Sequence, residues 1–278
     1  MNSLYRGMDR AALDAAYNNV RAEPDYPAIM ARFKEQSEAI YRSVEVKRDI
    51  RYGAGARQRF DWLSCGKAAA PTFVFIHGGY WQNYAKDDLA FIARGPLERG
   101  FNVVLAEYTL APDASMTQIV GEIGALLEHL QADTGETGFG GRPVCVCGHS
   151  AGGQLAALYR HHPGVTLTVC VSALFDLEPI SLSWLNEKLQ LTEPEISRFS
   201  PLHRIDRGAP TIVSVGMAEL PELIRQSQRY AAACEAAGES TTFVGLPERR
   251  HFTILADVAD PGGVHMQAIV DRVICPSR

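Results

Sequence analysis

Val144-Cys145-Val146-Cys147-Gly148-His149-Ser150-Ala151-Gly152-Gly153 is a short apolar run that closes on glycine and restarts as a helix-competent stretch. The first four residues read as a buried strand, and Gly148-x-Ser150-x-Gly152 supplies the small flanks that a very sharp turn requires. A helix opening around Ala151 would aim its unsatisfied N–H groups at the Ser150 hydroxyl. The plainer account of Ser150 is a helix cap beside tightly packed glycines. The strand-turn-helix setting favours an exposed nucleophile.

The same rhythm extends on both sides. Short Val-, Ile- and Phe-rich runs at 72–76, 102–106, 144–147, 166–171, 211–215 and 241–244 alternate with helical patterns at 86–99, 116–131, 152–161, 221–237 and 265–270. This alternation predicts an α/β chain whose mostly parallel central sheet is flanked by helices. In the 116–131 helix, Ile119, Ile123, Leu126, Leu127 and Leu130 recur at helical spacing and form one buried stripe. Before the alternation begins, helices are predicted at 10–20 and 27–44, and strands at 45–51 and 59–63 around the Gly53-Ala54-Gly55 turn. The organisation expected is one domain over 1–278, with an N-terminal arm at 1–44 and a small cap-like insertion at 176–207. The proline- and tryptophan-bearing insertion falls between two core strands, where it could cover a pocket or form a surface excursion.

Composition narrows the class. The 278 residues carry 27 Lys plus Arg against 32 Asp plus Glu, a net charge of −5, with 46% hydrophobic residues. That is ample for a core and a poor match to a nucleic-acid binder, which needs concentrated positive charge. No run approaches the length of a membrane span, and the N-terminal stretch lacks the apolar core of a secretion signal. Cys65, Cys145, Cys147, Cys170, Cys234 and Cys275 show no CxxC spacing and read as small apolar side chains, so a cytoplasmic setting is expected. The glycines around 135–140 sit outside any strand-turn-helix unit and make a weak dinucleotide site.

A serine hydroxyl needs a base. His251 follows the last strand and the turn-rich Pro247-Glu248-Arg249-Arg250, which makes it the best candidate. His149 is constrained beside the nucleophile, His161 and His162 fall at a helix end, and His265 would need an inward path. The acid that orients the imidazole should follow the strand at 211–215: Glu219 is the first choice, Glu222 its rival and Asp176 a distant third. His77-Gly78-Gly79-Tyr80-Trp81, directly after the strand at 72–76, is the second strong signal. Its glycines let backbone N–H groups approach a substrate oxygen, and Gly78 and Gly79 with Ala151 are candidates for an oxyanion hole. His77 is read as ordering that loop. Tyr80 and Trp81 are expected to line an aromatic wall, the alternative being that they pack the loop.

These motifs resemble those of α/β-hydrolases, specifically the hormone-sensitive-lipase-like esterases and the arylformamidase (kynurenine formamidase) group. The resemblance spans residues 13–270 and rests on His77-Gly78-Gly79, Tyr108-Thr109-Leu110-Ala111-Pro112, Gly148-x-Ser150-x-Gly152, a late acid and His251 in order. His77-Gly78-Gly79-Tyr80-Trp81, Gly216-x-x-Glu219-x-Pro221-Glu222-x-x-Arg225-Gln226-Ser227 and His251-Phe252 are similar to the formamidase versions. The resemblance implies a triad of Ser150, Glu219 and His251, with Glu219 departing from the aspartate usual in that group. It also implies that Asp14-Ala15-Ala16-Tyr17-Asn18-Asn19 matches the family's N-terminal arm, bringing Tyr17 and Asn18 toward the pocket. Phe175, after another strand end, is expected to add an apolar wall.

The function implied is hydrolysis of an aryl N-formyl amide, N-formyl-L-kynurenine being the leading candidate, without cofactor or metal. The HxGTH-like arrangement of unrelated metal-dependent enzymes is absent. A carboxylesterase acting on short-chain or aryl esters shares every motif. A non-catalytic small-molecule binder of the same fold is a third reading. The expected partner is a small aryl formamide or ester, and a homodimer is compatible with the sequence.

Overall fold

Eight strands form one sheet in the order β1-β2-β4-β3-β5-β6-β7-β8. They are β1 (Val46–Arg51), β2 (Arg59–Leu63), β3 (Thr72–Ile76), β4 (Asn102–Ala106), β5 (Val144–His149), β6 (Leu167–Val171), β7 (Thr211–Gly216) and β8 (Thr241–Leu246). The computed structural model describes residues 3–274. β1 pairs antiparallel with β2, and β2 with β4; every other pairing is parallel. The expected mostly parallel sheet is therefore present, with an antiparallel edge made by the two strands that precede the alternation.

β3, β4, β5, β6 and β7 are buried along their whole lengths, as near-continuous apolar strands covered on both faces must be. Alternate side chains feed two cores. Val74, Ile76, Val104 and Val146 pack on one face, and Phe73, Phe75, Val103 and Cys147 on the other. The polar β1, VKRDIR, occupies an edge and carries a bulge between Lys47 and Ile50.

The helices are α1 (Arg10–Ala16), α2 (Asn19–Ala22), α3 (Tyr26–Ser43), α4 (Arg94–Glu98), α5 (Met116–Ala132), α6 (Ala151–Leu158), α7 (Glu178–Ser181), α8 (Asn186–Leu189), α9 (Glu193–Phe199), α10 (Pro221–Ala236), α11 (Leu255–Val258) and α12 (Val264–Val273). α5 buries its expected stripe, and its Ser115 cap accepts from the Gln118 N–H.

Two expected helices are broken. The first divides at Tyr17-Asn18, because the Asn18 side chain accepts from the Arg21 N–H and starts α2 afresh. The second, expected over 86–99, is a 3₁₀ turn over Lys86–Ala93 followed by α4. Pro96 has no N–H to extend the ladder, and Lys86 is drawn into a buried pair with Asp61 at 2.9 Å.

The insertion at 176–207 holds α7, α8, α9 and a 3₁₀ turn at Pro201–His203. It is tied to the arm where the Trp184 N–H donates to Asp14, and to the loop after β3 where Gln82 donates to the Leu185 carbonyl. Cys145, Cys147, Cys170 and Cys234 are buried and unbridged, as expected, whereas Cys65 is half-exposed; Cys275 lies outside the described residues. No helix among the described residues is long and apolar enough to cross a membrane.

Candidate active site

Ser150 sits between β5 and α6 with φ 55° and ψ −118°, a conformation that is strained for a residue with a side chain. The strain is held by close backbone packing. A Cβ on Gly148 would lie 2.0 Å from the Gly152 carbonyl oxygen, and one on Gly152 would lie 2.0 Å from that of Ile76. Only glycine fits at either position. The Ser150 N–H is fixed on the Val171 carbonyl at 2.8 Å. Ala151 opens α6, so its N–H has no acceptor within the helix and faces the serine end.

The loop after β8 delivers His251. Its Nε2 lies 3.1 Å from Ser150 Oγ and its Nδ1 lies 2.8 Å from Glu219 Oε2. Glu219, in the turn after β7, keeps its other oxygen on the Gly216 N–H at 2.8 Å and the Ser172 hydroxyl at 2.5 Å. The rival acids are committed elsewhere. Glu222 receives Arg225 at 2.6 Å and the Tyr17 hydroxyl at 3.2 Å, and Asp176 accepts from Tyr5 and the Glu178 N–H. Ser150, His251 and Glu219 thus form a continuous chain in which the serine proton can pass to an imidazole held by a carboxylate.

His149, next to the serine, has a role the sequence did not reveal. Its Nε2–H donates to the His251 carbonyl at 2.8 Å, and the two rings pack 4.7 Å apart. Burial holds this imidazole well below its ordinary pKa, so it is neutral.

The loop after β3 closes the other side. A Cβ on Gly78 would lie 3.0 Å from Ser150 Cβ, so this backbone is pressed against the serine. Gly79, Tyr80 and Trp81 then adopt positive φ in succession (101°, 52° and 56°). Tyr80 emerges into the pocket, its hydroxyl donating to the Tyr17 carbonyl at 2.6 Å and accepting from Asn19 Nδ2 at 2.9 Å. Trp81 does not line the pocket. The left-handed turn sends its indole into the core, fully buried, where Nε1–H donates to Gln154 at 3.2 Å. Phe175 is likewise away from the pocket, stacked on Tyr230 at 4.1 Å because its strand end points toward α10. Tyr17 and Asn18 line it.

The pocket at Ser150 and His251 has a volume of about 320 Å³. Tyr17, Tyr80, Tyr84, Trp184 and Phe252 make its aromatic wall, and no Lys, Arg, Asp or Glu among the described residues lines it. Trp184 is the insertion's contribution, and Asn19 and Asn83 are further polar groups that sequence reasoning missed.

His265 takes the inward path that the sequence made unexpected. It is 1% exposed, with Nδ1 2.5 Å from Asp257 and Nε2 2.7 Å from the Ser214 hydroxyl. This second Ser-His-Asp chain has the composition of a triad but lies among the buried residues of β7, α11 and α12, and none of its members lines the pocket at Ser150.

The chain is similar in sequence and in fold to known proteins. A family model described as BD-FAE matches residues 64–166. The kynurenine formamidase of Danio rerio is 27% identical, with 92% of this chain and 94% of that protein aligned. That of Salmo salar is 28% identical over 87% of this chain and 86% of its own length. Among solved structures, a protein of Silicibacter described as a candidate thioesterase has a TM-score of 0.82 at 26% identity, covering 93% of this chain and 98% of that one. The Pyrobaculum calidifontis esterase has a TM-score of 0.73 at 16% identity, covering 97% and 100%. The chain is an α/β-hydrolase by fold. Its similarity to the two fish kynurenine formamidases extends over most of its length.

Proposed function

We propose that this protein is a serine hydrolase that cleaves an aryl N-formyl amide, with N-formyl-L-kynurenine the leading substrate. The observation that carries the reading is the hydrogen-bonded chain Ser150–His251–Glu219 opening onto an aromatic-walled pocket. Similarity to kynurenine formamidases over most of the chain supports the choice of amide.

In this mechanism His251 Nε2 takes the Ser150 proton as Oγ attacks the formyl carbon, and Glu219 stabilises the imidazolium that forms. The N–H groups of Gly78, Gly79 and Ala151 receive the oxyanion, each donor contributing about 2.7–4 kcal/mol to the transition state. Collapse of the tetrahedral species breaks the C–N bond, and His251 returns its proton to the leaving arylamine. A water molecule deprotonated by His251 then hydrolyses formyl-Ser150, giving formate. The arm residues Tyr17 and Asn18, with Trp184 from the cap-like insertion at 176–207, enclose the aryl group.

The uncharged lining favours one further reading, a carboxylesterase for short-chain or aryl esters. Kinetics on N-formyl-L-kynurenine, other aryl formamides and short aryl esters separate the two. The expected order places aryl formamides first, with Ser150→Ala folded and nearly inert. Negligible formamide turnover beside efficient ester cleavage would establish the esterase, and full activity in folded Ser150→Ala would remove the covalent route.

A further inference from the structure

Glu107 lies behind the loop that follows β3, out of reach of the pocket, and is 1% exposed. Four donors converge on its carboxylate: Arg57 Nη2 at 2.6 Å, His77 Nε2 at 3.0 Å, the Tyr108 N–H at 3.1 Å and the Lys86 N–H at 3.2 Å. Burial alone would raise its pKa, but His77, Arg57 and the backbone donors outweigh that and hold it below the usual carboxylate range. It is an ionised hub that can only accept.

The other ring nitrogen of His77, Nδ1, lies 2.9 Å from the carbonyl oxygen of Gly78. Both ring nitrogens therefore face acceptors, the Glu107 carboxylate at Nε2 and the Gly78 carbonyl at Nδ1. The ring cannot swing away, because it stacks on Tyr108 at 4.5 Å and the Tyr108 hydroxyl holds the His77 carbonyl at 3.0 Å.

Gly78 C=O and Gly79 N–H belong to one planar peptide unit. It is trans, since Ala111-Pro112 is the cis bond recorded among the described residues, so the two groups point in opposite directions. Pulling the carbonyl back toward His77 drives the N–H forward, on the side where Gly79 lines the pocket beside Ser150. Gly79 tolerates a wide range of φ, so the peptide would rotate without such a restraint.

We propose that Glu107 is a positioning residue: acting through His77, it clamps the Gly78–Gly79 peptide so that the Gly79 N–H is aimed at the oxyanion. The proposal rests on the serine-hydrolase reading above. The group one turn of chain away from the substrate is a neutral backbone donor, and its aim is set by a buried charge that never meets the substrate.

The test uses a pair of aryl ketones. A trifluoromethyl ketone accepts Ser150 Oγ at its carbonyl carbon, the serine proton passes to His251, and the carbonyl oxygen becomes an oxyanion. The matching methyl ketone remains trigonal and reports only on the pocket. The wild type is first treated with an aryl phosphonate. Failure to label Ser150 overturns the reading of the site, and the clamp with it. With labelling established, Glu107→Gln is expected to weaken the trifluoromethyl ketone about 10–100-fold, a fraction of what deleting an oxyanion donor does, with the methyl ketone within about threefold. Turnover should fall through kcat, with KM nearly unchanged.

His77→Asn keeps a donor at the position of Nδ1 that needs no partner, so it should retain the ketone ratio, and in that background Glu107→Gln should change it less than about threefold. A folded Glu107→Gln protein with the wild-type ratio overturns the clamp, as does an equal effect in the His77→Asn background. Should Glu107→Gln not fold, His77→Ala and His77→Asn decide the matter. Loss of the ratio in the first and its retention in the second support the clamp, and any other pattern overturns it.

Discussion

The His149 ring holds the His251 backbone carbonyl at 2.8 Å, so the residue before the candidate nucleophile fixes the residue that would take its proton. β5 and the loop after β8 are thereby joined at the point where the chemistry is proposed. The contact needs a neutral His149 with its proton on Nε2, and burial supplies that state.

That state makes stability depend on pH. A histidine in the unfolded chain titrates near ~6.5, well above native His149, so below that pH the unfolded state binds more protons. The contribution of His149 is complete above about pH 6.5 and is lost as pH falls toward the depressed native value. Urea midpoints measured from pH 7.5 to 5 should decline, and His149→Gln, which keeps a donor near Nε2, should flatten the decline. An equally steep decline in the variant assigns the effect to another group.

The two neighbouring glutamates should separate cleanly. Glu219→Gln leaves His251 without its anionic partner and should lower kcat about 10³–10⁴-fold, by analogy with the loss of the acid in a serine-protease triad. Glu222→Gln loosens Arg225 and Tyr17, and should lower stability by about 1–3 kcal/mol while kcat falls far less. Steady-state kinetics beside thermal unfolding of both variants checks the assignment; comparable losses of kcat would return the choice of acid to an open question.

Gly152→Ala places a methyl group 2.0 Å from the Ile76 carbonyl oxygen. Neither β3 nor α6 can move without displacing the Ser150 turn, so the cost should be several kcal/mol, in the range of about 3–5 expected of severe core disruption. The readout is the yield of folded protein and its unfolding midpoint. A stable, fully active variant would contradict the close packing described for the turn.

Ser214, His265 and Asp257 predict a different outcome from the triad they resemble. An aryl phosphonate should label Ser150 and leave Ser214 untouched, as peptide mapping would show. Ser214→Ala should keep activity within about threefold, whereas His265→Ala should destabilise by about 1–3 kcal/mol by stranding buried Asp257 and Ser214. Asp257 is shifted downward: burial opposes the shift, but His265 and the N–H groups at the start of α12 outweigh it. Its contribution is therefore complete above its unfolded value near ~3.9 and drains away as pH drops through the native value.

Much of this molecule was readable from its residues, for reasons that vary by element. β3 and β4 begin and end where expected, because their largely apolar runs must be covered on both faces. Ser150 and His251 were legible because the chain order of the motifs mirrors the order of the strand ends, and the structure brings their side chains within 3.1 Å. Glu219 is placed beside His251 although the related proteins were expected to use aspartate, since Ser172 and Gly216 hold the longer side chain by its far oxygen.

What escaped depends on side-chain direction. Trp81 follows Tyr80 in a motif that suggested one shared wall, yet consecutive positive φ angles send the two rings apart. Phe175 and His265 were decided by which face of the sheet each strand end and helix presents, and no local pattern encodes that. Trp184 lay in an insertion whose composition fitted a cap and a surface excursion equally well.

The arm wall has one more implication. Tyr17 gives its hydroxyl to Glu222 and receives Gln226, partners 205 and 209 positions further along the chain. A growing polypeptide leaving the ribosome would carry the first side of its binding chamber long before the helix that braces it had been synthesised. Assembly of the chamber must therefore be among the last events of maturation, and an intermediate lacking that brace would hold a finished serine turn in an unfinished enclosure.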